Sequence, residues 1–315
     1  VIRYVGKKVL GAAAVLFVLS ALVFMAGRGL APGNPAMTLA GPKASPADIA
    51  AIEHKLGLDK PVWQQYLDWL GNALHGDFGV SPISGQANIE VIGQQAPVSF
   101  ELAVLGLVIA VVLGVPVGVM TASRAGTAAD WTMRIPLLVI FAFPAFVSGS
   151  IALYLATHYL TNLYSASYIP LSQAPLANLQ AMLLPALAVG IPTAPLVAQM
   201  TRSSMIETLA QPHIATARTN GIAEWRIKYQ YALRAALPPV LTLIGFIFGL
   251  LVGGLFIVEK IFSLPGLGRG VLDSITNRDF VQVTGQALVL AAAFIIGNLI
   301  VDLVLPLVDR RILRR

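Results

Sequence analysis

No cysteine occurs anywhere in the 315 residues, which excludes a disulfide, a thiolate metal site and a cysteine nucleophile. Histidine is nearly as scarce. His54, His75, His158 and His213 are scattered along the chain, with no metal-ligand spacing between them, so no metal site is expected. Charge is short as well: Asp, Glu, Lys and Arg make up 11% of the sequence, where a soluble domain carries roughly 25%. No G-x-x-x-x-G-K-[ST] stretch is present, so the chain has no P-loop for ATP. Gly266-Leu267-Gly268-Arg269-Gly270 lacks the spacing and the strand–helix setting of a dinucleotide fingerprint.

What is there is apolar. Hydrophobic residues reach 57% of the chain, and the mean hydropathy is +0.77. Six uncharged runs, 9–27, 102–122, 135–157, 181–200, 239–258 and 283–301, reach the length of about 20 residues that a helix needs to cross a bilayer. Buried helices of a large soluble protein could account for one or two such runs, but not six. The expected fold is therefore all-α and polytopic, with six transmembrane helices. The first run is too long for a cleavable signal and no clear small-x-small cleavage site follows it, so it reads as a span.

Lys and Arg set the expected orientation. Arg3, Lys7, Lys8, Arg124, Arg134, Arg202, Arg218, Arg226, Lys228, Arg234, Arg310, Arg311, Arg314 and Arg315 would share one side. Lys43, Lys55, Lys60, Lys260, Arg269 and Arg278, with Arg28 at the end of the first span, would face the other. Fourteen of the 21 thus mark one side as cytoplasmic, both termini included. The loop 158–180 carries no Lys or Arg, in agreement. The net charge of +6 reads as a topological signal and an attraction for anionic lipid, not as a nucleic-acid surface.

Three regions follow: a first span over 1–30, an extracytoplasmic insert over 31–97, and a core of five spans over 98–315. In the insert, Ser45-Pro46-Ala47-Asp48 reads as a capped helix start, with Gly57 ending that helix. A second helix is expected from Pro61, with Trp63, Tyr66, Leu67, Leu70 and Leu74 at helical spacing. Its Trp63, Tyr66 and Trp69 suit either a membrane interface or substrate contact.

Within the spans, Gly245, Gly249 and Gly253 recur every four residues, as do Gly114 and Gly118. Such stripes let helices pack closely, inside one chain or against a second membrane subunit. Prolines at 116, 136, 144, 185, 192 and 195 predict kinked helices around a cavity. Glu101 and Asp302 fall at span ends, where pairing with an arginine or a backbone donor is expected rather than a proton relay. Without charge in mid-membrane, a stand-alone ion-coupled carrier is disfavoured. Ser148 and Ser150, eight to ten residues from His158, give poor geometry for an intramembrane hydrolase.

Residues 201–238 form the one long basic stretch between two apolar spans. Small residues (Ala215, Thr216, Ala217) precede Gly221, and an aromatic, basic run leads through Tyr231 and Arg234 to Pro238. A short helix closed by a glycine C-cap and followed by a second helix would make a compact knob. It could dock a soluble partner, or be an ordinary basic loop that obeys the charge rule.

Ordered along the chain are Ala31-Pro32-Gly33-Asn34-Pro35, Leu56-Gly57-Leu58-Asp59-Lys60-Pro61, Gln65-Tyr66, Trp69 and Gly76-Asp77-Phe78-Gly79. Arg202-Ser203-Ser204-Met205-Ile206-Glu207, Thr216-Ala217-Arg218 with Gly221, Glu259, Phe262-Ser263, Pro265-Gly266-Leu267-Gly268-Arg269 and Asn298-Leu299 with Asp302 follow. In this order the sequence resembles the membrane permease subunit of ABC importers of the dipeptide/oligopeptide/nickel type, over nearly its whole length. The resemblance implies a type I permease fold in a bacterial-type inner membrane, with the loop as coupling helix for a cytoplasmic ATPase. It implies a second homologous permease subunit, two ATPase subunits holding ATP and Mg, an extracytoplasmic substrate-binding protein, and no cofactor on this chain. Ala217 and Gly221 fall on the motif's small positions, so the resemblance puts them at the ATPase contact, flanked by Thr216 and Arg218. The implied cargo is a peptide or a similar small solute. Ala215, Asn220, Pro212-His213 and Tyr231 depart from the residues usual in this motif.

Overall fold

The computed structural model describes residues 2–30, 40, 44–55, 57–159 and 167–308. The Ala31–Pro35 turn, Lys43, Leu56 and the arginines from 310 onward lie outside them. Among the described residues the regular structure is helical, apart from one antiparallel bridge between Val80 and Ala87.

The helices in chain order are α1 (Ile2–Leu30), α2 (Pro46–Lys55), α3 (Val62–Leu74), α4 (Asn88–Ala122), α5 (Ala128–Ala142), α6 (Ala145–Tyr159) and α7 (Pro175–Leu209). Then come α8 (Pro212–Thr219), α9 (Glu224–Gly254), α10 (Phe256–Ile261), α11 (Leu267–Thr276) and α12 (Phe280–Val308). Five of these, α1, α4, α7, α9 and α12, are long and apolar enough to cross a membrane, and α5 with α6 forms a sixth candidate bent by 93°.

The bend falls at Pro144, one of the prolines expected to kink a helix, and divides the apolar run 135–157 between two helices. Pro144 has no N–H and crowds the residue before it, so Phe143 takes an extended conformation (φ −85°, ψ 118°) and the helix stops. Prolines 116, 185, 192 and 195 instead lie inside continuous helices. α4 and α7 each hold 35 residues, well beyond the apolar runs within them. The excess turns extend past the expected span ends, and α4 starts at Asn88, inside the region read as the insert.

The centre of the bundle is the α4–α7 pair, and glycine sets its spacing. A β-carbon on Gly114 would lie 2.7 Å from the Ala194 carbonyl oxygen, and one on Gly118 2.6 Å from that of Ala198. Gly190 meets the Gly106 carbonyl equally closely from the other side. Backbones can approach like this only where side chains are missing, which is how helices associate in lipid. Around the pair, Val98, Leu102, Met182, Val189, Val258 and Phe262 form a buried core.

α9 and α12 interlock by the same rule. Gly249 receives the Phe294 ring and Gly297 receives the Phe248 ring, while Gly245 lies against Val301. The glycine stripe is thus an intrachain packing seam at two of its three positions. At Gly253 nothing stands within 4 Å of a built β-carbon, so the third position is open.

α1 lies at the edge of the bundle, joined to α12 and to the insert. Tyr66 and Trp69 of α3 pack on Phe17 and Phe24 of α1, and the Tyr66 hydroxyl meets the Ser20 hydroxyl at 2.8 Å. Two of the three insert aromatics therefore serve to hold α3 on the first span, whereas Trp63 stays exposed. The Ser45–Asp48 capping box forms as expected: the Ser45 N–H donates to Asp48 Oδ2 at 3.1 Å, and the Asp48 N–H to Ser45 Oγ at 3.3 Å. Gly57, at φ +65°, closes α2. The Gly76–Gly79 segment turns through two positive-φ glycines, with the Gly79 N–H bonded to Asp77 Oδ1 at 2.9 Å.

Candidate functional site

α7 runs without a break to Leu209, and one turn later α8 begins with Pro212 in its first turn, where a missing N–H costs nothing. α8 buries Ile214 and Ala217 against Ile227 and Ile222, and exposes Ala215, Thr216 and Arg218. Its end is a Schellman motif. The Gly221 N–H donates to Arg218 O at 3.0 Å and the Ile222 N–H to Ala217 O at 3.1 Å, with Gly221 at φ +75°. Arg218 Nε then reaches Glu224 Oε1 at 2.7 Å and clips α8 to the first turn of α9.

Two details differ from the expected contact. Ala217 is only 6% exposed, because the apolar stripe Ile214–Ala217 must cover Ile227. Its small side chain lets α8 sit close to the chain's own α9, not outward toward a partner. Gly221 is exposed, and nothing stands within 4 Å of where its β-carbon would be. Glycine is required there by the left-handed backbone, not by crowding inside the chain. Of the residues expected at the contact, Ala215, Thr216, Arg218 and Gly221 lie on the knob's surface, with Tyr231 and Arg234 exposed further along α9.

In α9 the stretch Ile227–Ala232 is wound as a π-helix. Such turns insert an extra residue and gather at functional sites. Here Ile227 and Ala232 stay buried while Trp225, Tyr229 and Tyr231 are exposed. The winding had no signal in the sequence.

Buried and half-buried carboxylates hold the frame, Asp130, Glu259, Glu101 and Asp302 among them. Asp130, 2% exposed, takes Arg202 Nη2 at 2.6 Å and Nε at 3.3 Å, so it ties the start of α5 to the end of α7 just before the knob. The Gly126 N–H completes it at 3.2 Å, and Thr127 caps α5. Nothing in the sequence pattern marks the two as partners, although Asp130 is the only acid between Glu101 and Glu207.

Glu259 is fully buried. It accepts Ser99 Oγ at 2.6 Å and the backbone N–H groups of Arg269, at 2.7 Å, and Gly268. Ser99 Oγ in turn accepts the Leu267 N–H at 2.8 Å. Pro265–Arg269 is thereby wrapped around one carboxylate, and a β-carbon on Gly266 would lie 2.3 Å from Glu259 Cδ.

Glu101 accepts the Tyr168 hydroxyl at 3.1 Å and Asn178 Nδ2 at 3.2 Å, neutral side chains rather than the expected arginine or backbone donor. Burial first, and then Glu101, push the Tyr168 phenol up to about 12, so it stays a donor at any physiological pH. Asp302 pairs with Lys8 at 2.9 Å, linking α12 to α1. Ser148 donates to the carbonyls of Ala145 and Ala188, and Ser150 to that of Phe146. Nδ1 of His158 lies at Tyr154 O, 3.0 Å away. These are helix-packing contacts without a nucleophile–base pair.

A spanning helix that runs straight into a rigidly capped, outward-facing knob suits the transfer of movement between a soluble body and a bundle. The class so defined is a multi-pass, all-helical membrane protein. The chain belongs to the family of binding-protein-dependent transport system inner membrane components, which it matches over residues 114–314, with the family's N-terminal module matching residues 1–95. It is 31% identical over 309 residues to the "Probable peptide ABC transporter permease protein y4tP" of Sinorhizobium fredii, covering 98% of both chains. It is 33% identical over 304 residues to the glutathione transport system permease protein GsiC of Escherichia coli K12, covering 96% of this chain and 95% of that one. A crystal structure of an amino acid ABC transporter with histidines aligns with a TM-score of 0.47 at 20% identity, over 70% of this chain and 94% of that one.

Proposed function

We propose that this chain forms part of the translocation pathway of an ATP-driven importer for short peptides or peptide-like solutes such as glutathione. A separate cytoplasmic ATPase would dock on the knob α8–Gly221–α9. The observation that carries this reading is the knob itself: a short helix fixed from beneath by Ile214, Ala217 and Ile227, with Thr216 and Arg218 outward. The cargo class is supported by the names of relatives that match end to end. ATP and Mg would be held by the ATPase subunits. A second, homologous permease and an extracytoplasmic binding protein would complete the assembly. Both termini would be cytoplasmic in a bacterial-type inner membrane, as the Lys and Arg distribution predicts.

ATP binding would close the ATPase pair and move the knobs. Because α8 is clipped to α9 by Arg218–Glu224 and follows α7 directly, the movement would reach two spans at once. The test is a mild-detergent purification with mass spectrometry of the partners, followed by uptake of labelled glutathione and dipeptides. A co-purified P-loop ATPase and second permease are expected. A chain recovered alone, and active on an ion gradient, would overturn the reading.

Gly221→Asp should leave membrane insertion intact while ATPase co-purification is lost. An L residue at φ +75° costs about 1–2 kcal/mol, and the new charge sits on the docking surface. Gly221→Ala, which adds the strain without the charge, should weaken co-purification less.

A further inference from the structure

We infer that the seam between α1 and α12 holds an anionic phospholipid, with its phosphate at Lys7 and an acyl chain along Gly11, Val15 and Phe294. A groove of about 320 Å3 opens between the two helices there, with Lys7 and Lys8 at one end. The charge at that end is unbalanced. Lys8 is neutralised by Asp302 at 2.9 Å, whereas no carboxylate pairs with exposed Lys7 among the described residues. Arg3, one turn before Lys7 on the same helix, is exposed too and adds to the positive field. Beyond the lysines the walls are alkyl and aromatic apart from Asn298, whose amide donates to the Phe294 carbonyl, and Gly11 leaves its stretch of α1 without a side chain.

These features select one occupant. A free inorganic anion would meet the lysines but gain nothing from the apolar length of the groove. A zwitterionic lipid would bring a cation into a site whose single carboxylate is already taken by Lys8. An anionic phospholipid satisfies both ends, as basic pockets between spans do on lipid headgroups. α1 is otherwise mostly exposed along its length and, among the described residues, α12 is the only span packed closely on it, so lipid has open access to the seam. The inference requires only that both helices lie in a bilayer. It is independent of the cargo and of ATPase docking.

The test uses the purified full-length chain with its native partners, in detergent, by native mass spectrometry and thermal unfolding. The probes are phosphatidylglycerol, phosphatidylcholine with the same acyl chains, and inorganic phosphate. Phosphatidylglycerol should stay bound and raise the unfolding temperature, whereas phosphatidylcholine and phosphate should do neither. Lys7→Gln should weaken phosphatidylglycerol retention by about fivefold, the effect of one lysine at an anionic surface. Asp302→Asn frees Lys8 and should strengthen it by a similar factor, so the two variants must move in opposite directions. Equal retention of the two lipids, a response to phosphate alone, or no change in either variant would overturn the site.

Discussion

Replacing Glu259 by alanine should cost the protein several kcal/mol and abolish uptake. The carboxylate lies at 0% exposure and collects the Ser99 hydroxyl and the Gly268 and Arg269 N–H groups. Its removal strands these donors in a dry site, at about 1–3 kcal/mol each, and leaves a cavity that the rigid Gly266 turn cannot fill. The expected loss is on the order of 3–5 kcal/mol, the range for breaking a buried charged network. Glu259→Gln keeps the volume and one carbonyl acceptor, so it should fall between wild type and alanine. Fluorescence-detected thermal unfolding of the purified chain measures the order. If Glu259→Ala unfolded within a degree of wild type, the wrapped-carboxylate account of the Pro265–Arg269 turn would be wrong.

Asp130→Asn should act at the opposite face and through movement more than folding. The bond to Arg202 is two-pronged and Asp130 is buried, but Arg202 keeps about a fifth of its surface exposed, so the expected loss is about 2–3 kcal/mol. The functional loss should be larger, at least tenfold in uptake. Arg202 stands on the last turns of α7, just before the knob, and without its anchor the knob can shift while α5 stays behind. Arg202→Lys should not restore activity, because an ammonium cannot grip both carboxylate oxygens in one plane. A cycle of Asp130→Asn, Arg202→Gln and the double variant, read by unfolding temperature and by uptake, separates the pair from its members. Additive losses would show that the two residues do not act together.

Much of the fold was legible because lipid leaves few options. Long uncharged runs must become helices: four of the six expected runs lie within single helices, and 239–258 is interrupted only by the one-residue break at Leu255 between α9 and α10. Hydropathy alone gives the run 135–157 no break, because it does not register backbone geometry. Pro144 marks a kink by its missing N–H, but nothing in the sequence sets the size of the turn, which is 93°. The knob was legible too, since a Schellman cap needs glycine at one position and Gly221 occupies it. Which face of α8 points outward was not legible. Ala217 has the same size whether it meets a partner or Ile227, and only packing against α9 turned it inward.

The sequence alone determined that the chain crosses a membrane several times, where α2 and α8 are capped, and where a basic knob interrupts the spans. Those features follow from local chemistry: apolar length, proline and serine at helix starts, and glycine where φ is positive. Tertiary structure alone decided the partners of the carboxylates. Asp130 finds Arg202 across 72 residues, and Glu259 finds Ser99 across 160. It also decided which glycines are seams: Gly249 faces the Phe294 ring, whereas Gly253, one turn on, faces open space. A glycine or a carboxylate carries no mark of its neighbour. In a bilayer that neighbour is set by which helix surfaces can approach closely enough to replace lipid.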